Sequence, residues 1–408
     1  MITLVNGCDQ IGDVDNSGDV KVAVDNSNDN KYDFTINEQI TWSNNKLGFS
    51  LLDKVDPDEN NNILISPLSA FMAISLVYNG AEGNTKDEIA KVLGLNNMSV
   101  DDLNRANASL LELLDRDLEA VQLEIANSVW VNQDFTLKDA FVKNTTDFYQ
   151  ADITNIDVLD DGSVDKINNW VSKSTKNKID EIIAPPLDRD LVALLINALY
   201  FNGKWTKKFD EQRTELAPFF AKDKKVEVPM MLLESELKYM ENASFQAVKL
   251  PYGNSEISMN VFLPRENSSI DNFIENVTVD NWQDWNTTFK DKKGTIKLPR
   301  FQIEYEVNLN EPLKLLGIED AFNSRKADFP HMIKENEQLW IDEVKQKTYM
   351  DVNEEGTEAA AVTSIAVVKE SAIIEDTFYM EVNRPFFITI TDDETDTILF
   401  MGIIENPV

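Results

Sequence analysis

In 408 residues there is one cysteine, Cys8, and one histidine, His331. A single cysteine excludes an internal disulfide and any multi-cysteine zinc site, so packing alone has to hold the fold. A single histidine leaves a serine nucleophile one candidate base, and His331 sits in ADFPHM, a loop by composition. No G-x-S-x-G elbow, H-E-x-x-H, P-loop or G-x-G-x-x-G occurs. An enzyme reading has almost no residues to stand on. Basic residues are scarce too: 38 Lys and Arg against 72 Asp and Glu give a formal charge of −34. Such a field repels phosphate backbones and anionic headgroups over about a Debye length, which disfavours nucleic acid as a partner. Adjacent carboxylates are expected everywhere in so acidic a chain, so no glycosidase-like pair stands out. Long apolar runs are also missing. The longest, Leu191 to Phe201, has eleven residues and contains Asn197, short of the roughly 18 that a membrane span needs.

What is present is enough for a large core, since 42% of the residues are hydrophobic. Residues 9 to 33, DQIGDVDNSGDVKVAVDNSNDNKYD, are too polar to bury surface and read as a flexible acidic tail, residues 1–37 in all. Within it, DVDNSG (Asp13, Asp15, Ser17, Gly18) copies the opening of a calcium loop, but Val24 stands where the closing glutamate belongs. A solvated linker is the better reading. The opening MITLVNGCDQ is similar to the end of a lipoprotein signal, with Val5, Gly7 and Cys8 in place. Asn6 is foreign to that pattern and no basic leader precedes it. Lipid anchoring through Cys8 is therefore weighed against an ordinary tail cysteine.

From Glu38 the pattern is that of an amphipathic helix with Trp42, Leu47, Phe49, Leu51 and Leu52 apolar, broken at 56 to 62. Ser66-Pro67 is a helix start, the hydroxyl capping free amides and proline fitting the first turn. That helix is apolar on nearly every face up to Val77, so it should be buried. Thr85 with Glu88 reads as a capping box for the next helix. Strands are expected at 191–201, buried on both faces, and at 257–263, 295–298 and 340–344. The final pair, 386–390 and 398–404, reads as a hairpin around DDETDT. No internal repeat or interdomain linker follows residue 38, which predicts one α+β domain over 38–408.

One stretch is hard to place as a surface loop. In NEEGTEAAAVTSIAVVKES, residues 353 to 371, ten consecutive residues from Ala359 to Val368 carry no charge. A charge-free run suits a strand inside a sheet, where a charge would be expensive to desolvate. By strand parity one face is Thr357, Ala359, Ala361, Thr363, Ile365 and Val367, and the first residues on each face after Glu358 are small. Yet Gly356 and the alanines make a supple hinge, and Lys369-Glu370-Ser371 offers proteases an accessible target. The segment reads as a loop that can become a strand.

Here the chain resembles the serpin family. EEGTEAAA, 354 to 361, looks like the proximal hinge of inhibitory members: Glu354, Gly356, Thr357, Glu358, Ala359, Ala360 and Ala361. NILISPLSAFMAISLVYNGAEGNT resembles the helix carrying the shutter serines, here Ser66 and Ser69; NALYFNGKWTKKFD supplies a shutter asparagine, Asn197, and a breach tryptophan, Trp205. VPMM at 228–231, LPRF at 298–301 and the ending at 383–407 also match, so the likeness spans 38 to 408. Taken singly, Ser66 reads as a cap, Asn197 as a core amide and Trp205 as packing. Their order carries the resemblance. One departure is Gln346, where the family often has a shutter histidine; an amide both donates and accepts, so an altered network is expected. A second is the stretch between Ser371 and Asn383, longer than usual.

The resemblance implies a serpin fold: a central mixed sheet, further sheets, about nine helices and an exposed reactive centre loop at about 354–378. It implies a secreted or extracytoplasmic suicide inhibitor, monomeric and needing no cofactor, that forms a covalent one-to-one complex with a serine, or cysteine, endopeptidase. Counting from the hinge puts the reactive bond at Glu370-Ser371, with cleavage after Lys369 by a trypsin-like enzyme or after Val368 by an elastase-like one as rivals. The alternative is a non-inhibitory carrier or chaperone of the same fold. Such members commonly have charged or bulky residues where this chain has Thr357 and Ala359 to Ala361.

Overall fold

The computed structural model describes residues 19–21, 35–95, 98–115, 120–335, 337–357 and 376–408. Nine α-helices occur among them: α1 Glu38–Leu52, α2 Pro67–Tyr78, α3 Gly83–Leu93, α4 Val100–Leu114, α5 Asp139–Tyr149, α6 Gly162–Ser174, α7 Ile270–Ile274, α8 Val279–Asn286 and α9 Asn310–Leu316. The main sheet consists of β1 Val121–Asn132, β2 Asp152–Ile156, β3 Ala193–Lys204, β4 Phe301–Asn308, β5 Glu343–Val352 and β6 Gly356–Thr357, in the order β4-β5-β6-β3-β1-β2. A second sheet runs Phe378–Glu381, Lys290–Pro299, Lys225–Glu241, Phe245–Tyr252, Ile257–Pro264, Phe386–Asp392, Ile398–Ile404, Ile63–Ile65, with Glu215–Phe220 added along Lys225–Glu241. The arrangement is an α+β domain.

The two sheets meet through aromatic side chains: Phe201 of β3 stands edge-on to Tyr252 (ring centroids 5.0 Å) and to Phe400 (6.2 Å) of the second sheet. The far face of β3 is covered as well. Leu194, Ile196 and Ala198 pack with Val164, Ile167 and Val171 of α6 and with Ile179, Ile182 and Ile183 beyond it. That double cover explains why a strand of the sequence ALLINALYFNGK carries no charge before its last residue. All twelve residues of α2 are buried, and Ser66 caps it, its Oγ accepting from the Ser69 amide at 3.2 Å.

Two expectations need correction. The strand placed at 340–344 is β5, Glu343–Val352, whose burial alternates residue by residue. Two of its five buried positions, Gln346 and Thr348, are polar, so apolar alternation is weak within the strand, whereas the adjacent apolar residues Leu339, Trp340 and Ile341 precede it. Trp340 and Asp342 lie just outside. Thr85 and Glu88 do not form a capping box either. α3 starts at Gly83 with no side-chain cap; Thr85 Oγ1 accepts from the Asp328 amide (3.0 Å) and Glu88 Oε2 accepts from the Glu319 and Asp320 amides (2.8 Å each). Both side chains serve a neighbouring segment instead of their own helix. The remaining strands, 193–204, 257–264, 290–299, 386–392 and 398–404, contain or overlap their expected positions. In the acidic N-terminal region Asp19–Lys21 pairs antiparallel with Thr35–Asn37.

Candidate functional site

The site begins with an interruption in the main sheet. β3 and β5 run parallel and bond each other directly from Leu194↔Glu343 to Leu199↔Thr348. Beyond that point β6 comes between them, antiparallel to both, through Thr357↔Val352 and Thr357↔Gly203. β5 therefore ends, turns through Asn353 to Glu355 and folds back into the opening of its own seam with β3. The turn is closed by Asn353 N to Gly356 O (2.9 Å) and Gly356 N to Asn353 O (3.3 Å). A Cβ at residue 356 would lie 2.0 Å from Gly203 O and 2.7 Å from Lys204 Cα, so only glycine fits this approach.

Asn353, Glu354, Glu355 and Thr357 are each held by groups from outside this turn. Glu354 is 3% exposed, and its carboxylate takes a fork from Arg300 (Nη2 to Oε1 2.6 Å, Nη2 to Oε2 2.7 Å, Nε to Oε2 3.1 Å) plus the Thr214 hydroxyl at 2.6 Å. Burial pushes this carboxyl up, but the bonds from Arg300 and Thr214 outweigh it and leave it below the ordinary glutamate range. Glu355 pairs with Lys208. The backbone carbonyls of Asn353, Glu354 and Glu355 accept from Trp205 Nε1 (2.9 Å), Phe209 N (3.0 Å) and Trp205 N (3.0 Å). Trp205 stacks on Tyr252 at 4.3 Å, and the Tyr252 and Thr357 hydroxyls share a 2.7 Å bond with neither residue exposed. Burial raises the Tyr252 phenol well above its usual range, so it stays protonated.

Farther down the seam lie the shutter candidates. Gln346 clamps Ser66: Oε1 accepts from Ser66 N (2.8 Å) and Nε2 donates to Ser66 O (2.9 Å). Both ends of the amide are thereby used on one backbone residue. Asn197 Nδ2 donates to Asn127 Oδ1 at 2.7 Å, and the register aligns Asn127, Asn197 and Gln346 across β1, β3 and β5. Ser69 Oγ, Asn197 Oδ1 and Asn127 Nδ2 are buried without a hydrogen-bond partner among the described residues. Three orphan polar atoms beside one seam are an unusual concentration.

Cys8, the Asp13–Gly18 motif, Glu358 to Ala361, Val368, Lys369, Glu370 and Ser371 lie outside the described residues. Downstream, Phe378–Glu381 pairs in parallel with Lys290–Pro299, and Lys292 meets Asp376 at 3.1 Å. His331 is exposed, its Nε2 3.7 Å from Glu82. Among the described residues no group of three or more His, Cys, Asp or Glu is placed to hold a metal, and no helix is long and apolar enough to cross a membrane. Sequence reasoning missed Tyr252, Thr214, Lys208 and Asn127, each of which reaches the site from a distant strand or loop. Arg300 was within sight in LPRF, where a charge follows a strand ending in proline.

A main sheet with a half-opened seam, its entrance bolted by a buried glutamate, defines the class, and comparison with known proteins agrees. The family model described as "Serpin (serine protease inhibitor)" matches residues 42–407. Iripin-2 of Ixodes ricinus is 32% identical over 376 residues, 89% of this chain and 92% of that protein. A serpin-like protein of Methanosarcina acetivorans is 32% identical over 380 residues, 90% of this chain and 88% of its own length. The crystal structure of the thermophilic serpin tengpin in its native state superposes with a TM-score of 0.85 at 32% identity, covering 91% of this chain and 95% of tengpin's. The chain belongs to the serpin family.

Proposed function

We propose that this serpin inhibits serine endopeptidases, or cysteine ones, as a suicide substrate. The observation that carries the reading is the seam: β3 and β5 pair directly below residue 199, while Gly356–Thr357 already occupies the slot above. Continued at the same register, the strand would bring Thr363 between Asn197 and Gln346, with its side chain on the face of Thr357. A hydroxyl there would answer the orphan Asn197 Oδ1. The protease nucleophile attacks the Glu370 carbonyl, the Ser371 amine leaves, and an ester joins the two proteins. Loop insertion then carries the ester away before water hydrolyses it. From Thr357 to Glu370 the travel is about 43 Å.

The energy is of the right order. Roughly ten residues at about 1 kcal/mol per ladder bond, plus about 2 kcal/mol for each of Val362, Ile365 and Val367, give on the order of 10–20 kcal/mol before entropy. A protease domain is stable by about 5–15 kcal/mol. Inserting the strand can therefore distort a bound active site. The small hinge residues Ala359 to Ala361 favour insertion over a carrier or chaperone role. The proposed complex is one-to-one with a monomeric inhibitor, acting outside the cytoplasm.

The test is incubation with a panel of trypsin-like, elastase-like and glutamate-specific proteases. An SDS-stable adduct should form, with residues 371–408 released and weighed by mass spectrometry; release beginning at 370 or 369 would move the bond to Lys369 or Val368. Clean cleavage with every protease and no adduct would leave the non-inhibitory reading.

A further inference from the structure

β3 and β5 must part along their shared length if a strand is to enter between them. The groups that cross this seam therefore set the resistance to entry. Toward the hinge the crossings are those of Trp205, Lys208 and Phe209. At mid-seam the amides do not cross: Gln346 bonds Ser66, and Asn197 bonds Asn127. Lys345 and Lys347 reach the carbonyls of Ile182 (3.4 Å) and Glu181 (2.7 Å), in the segment laid over the sheet and not in β3. At the foot a carboxylate does cross. Asp342, one residue before β5, accepts from the amides of Val192 (2.6 Å) and Ala193 (3.0 Å) through Oδ2, and from Trp340 Nε1 (2.8 Å) through Oδ1. Its own amide donates to Ala193 O at 3.1 Å. Asn310 braces it from the β5 side, donating to Asp342 O (2.5 Å) and accepting from Val344 N (2.9 Å). The Asn310 bonds can travel with β5; the carboxylate bonds to β3 have to break.

We infer that Asp342 is a foot clasp, a positioning residue whose carboxylate holds the far end of the seam closed and sets the rate of the last part of loop insertion. This rests on the inhibitor reading. The register of β6, continued, brings residue 367 level with Ala193 and Asp342, three short of Glu370, so the clasp is met only at the end of the strand's travel. Charge-assisted bonds to two adjacent amides are the strong class of hydrogen bond, and neither amide has another use for that carboxylate once a strand arrives to bond it. In the intact protein the clasp delays spontaneous insertion. After cleavage the insertion that it slows competes against hydrolysis of the ester, so its strength sets how many inhibitor molecules are consumed per protease trapped.

Trp340, whose indole donates to the same carboxylate, is a built-in reporter. Stopped-flow fluorescence during reaction with an adduct-forming protease, with Trp340→Phe as blank, should show a late phase that is about three- to tenfold faster in Asp342→Asn. The stoichiometry of inhibition should fall, and amide exchange at Val192 and Ala193 should quicken in the intact variant. Asp342→Ala, which removes the acceptor altogether, should be faster than Asp342→Asn, whose amide oxygen still reaches the two amides, and serves if Asp342→Asn does not fold. Adducts that form at unchanged rate and stoichiometry, with unchanged exchange, would overturn the clasp while leaving the inhibitor reading intact. No adduct from the unaltered protein would remove both.

Discussion

Glu354 shows how one residue holds the loop's entrance. Its carboxylate lies below the ordinary range because Arg300 and Thr214 outweigh the cost of burial. Its folded pKa is thus depressed below an unfolded value of about 4.3, so the stabilisation is present above that pH and is lost as pH falls through the folded value. Arg300→Ala should cost about 1–2 kcal/mol at pH 7, discounted because the Arg300 side chain is 47% exposed. The gap in melting temperature between the two proteins should then begin to narrow as pH falls below about 4 and go on narrowing toward the folded value. A gap that stays constant at every acid pH where the protein remains folded would show that the fork is not what stabilises the hinge. Thr357 gives a second prediction. It is already inside the sheet, bonded to Tyr252, before any cleavage. Thr357→Arg would bury an unpaired charge, so the hinge should be expelled and the protein should turn from inhibitor to substrate. Full adduct formation by that variant would count against insertion. Neither Tyr252 nor Thr214 was legible from the sequence, since both reach the hinge from strands or loops more than a hundred positions away.

Among the elements, legibility followed burial. β3 and the closing hairpin were readable because both of their faces are covered, which keeps charge out of all but the strand ends. β5 was misplaced because it alternates, and its polar positions, Lys345 and Lys347, spend their charge on β4: Lys347 meets Glu304 at 2.8 Å. α3 was misread at its start because a Ser/Thr-x-x-Glu pattern does not say whose amides it will satisfy. The seam itself could not be read at all. That β3 and β5 are neighbours is a fact of topology between elements about 150 positions apart, and so is the slot into which Gly356–Thr357 fits.

The whole molecule is expected to be metastable. If residues 358 onward are more stable between β3 and β5 than outside, then protein nicked after Glu370 should melt at least about 10 °C above intact protein, by calorimetry at matched pH and salt. Equal melting temperatures would mean that no stored energy is available to act on a protease. The charge of −34 adds a bias on partners, since long-range repulsion slows approach of acidic proteases and favours basic ones, most strongly at low salt. The sequence by itself determined the family, the buried helix α2, the two-faced strand β3 and a loop segment with the composition of a strand, because each rests on local pattern and residue type. Only the tertiary structure decided that β3 and β5 leave a slot that Gly356–Thr357 fills, that Glu354 is forked by Arg300, and that Asp342 accepts from the Val192 and Ala193 amides, because those depend on which distant backbones the fold brings within hydrogen-bonding distance.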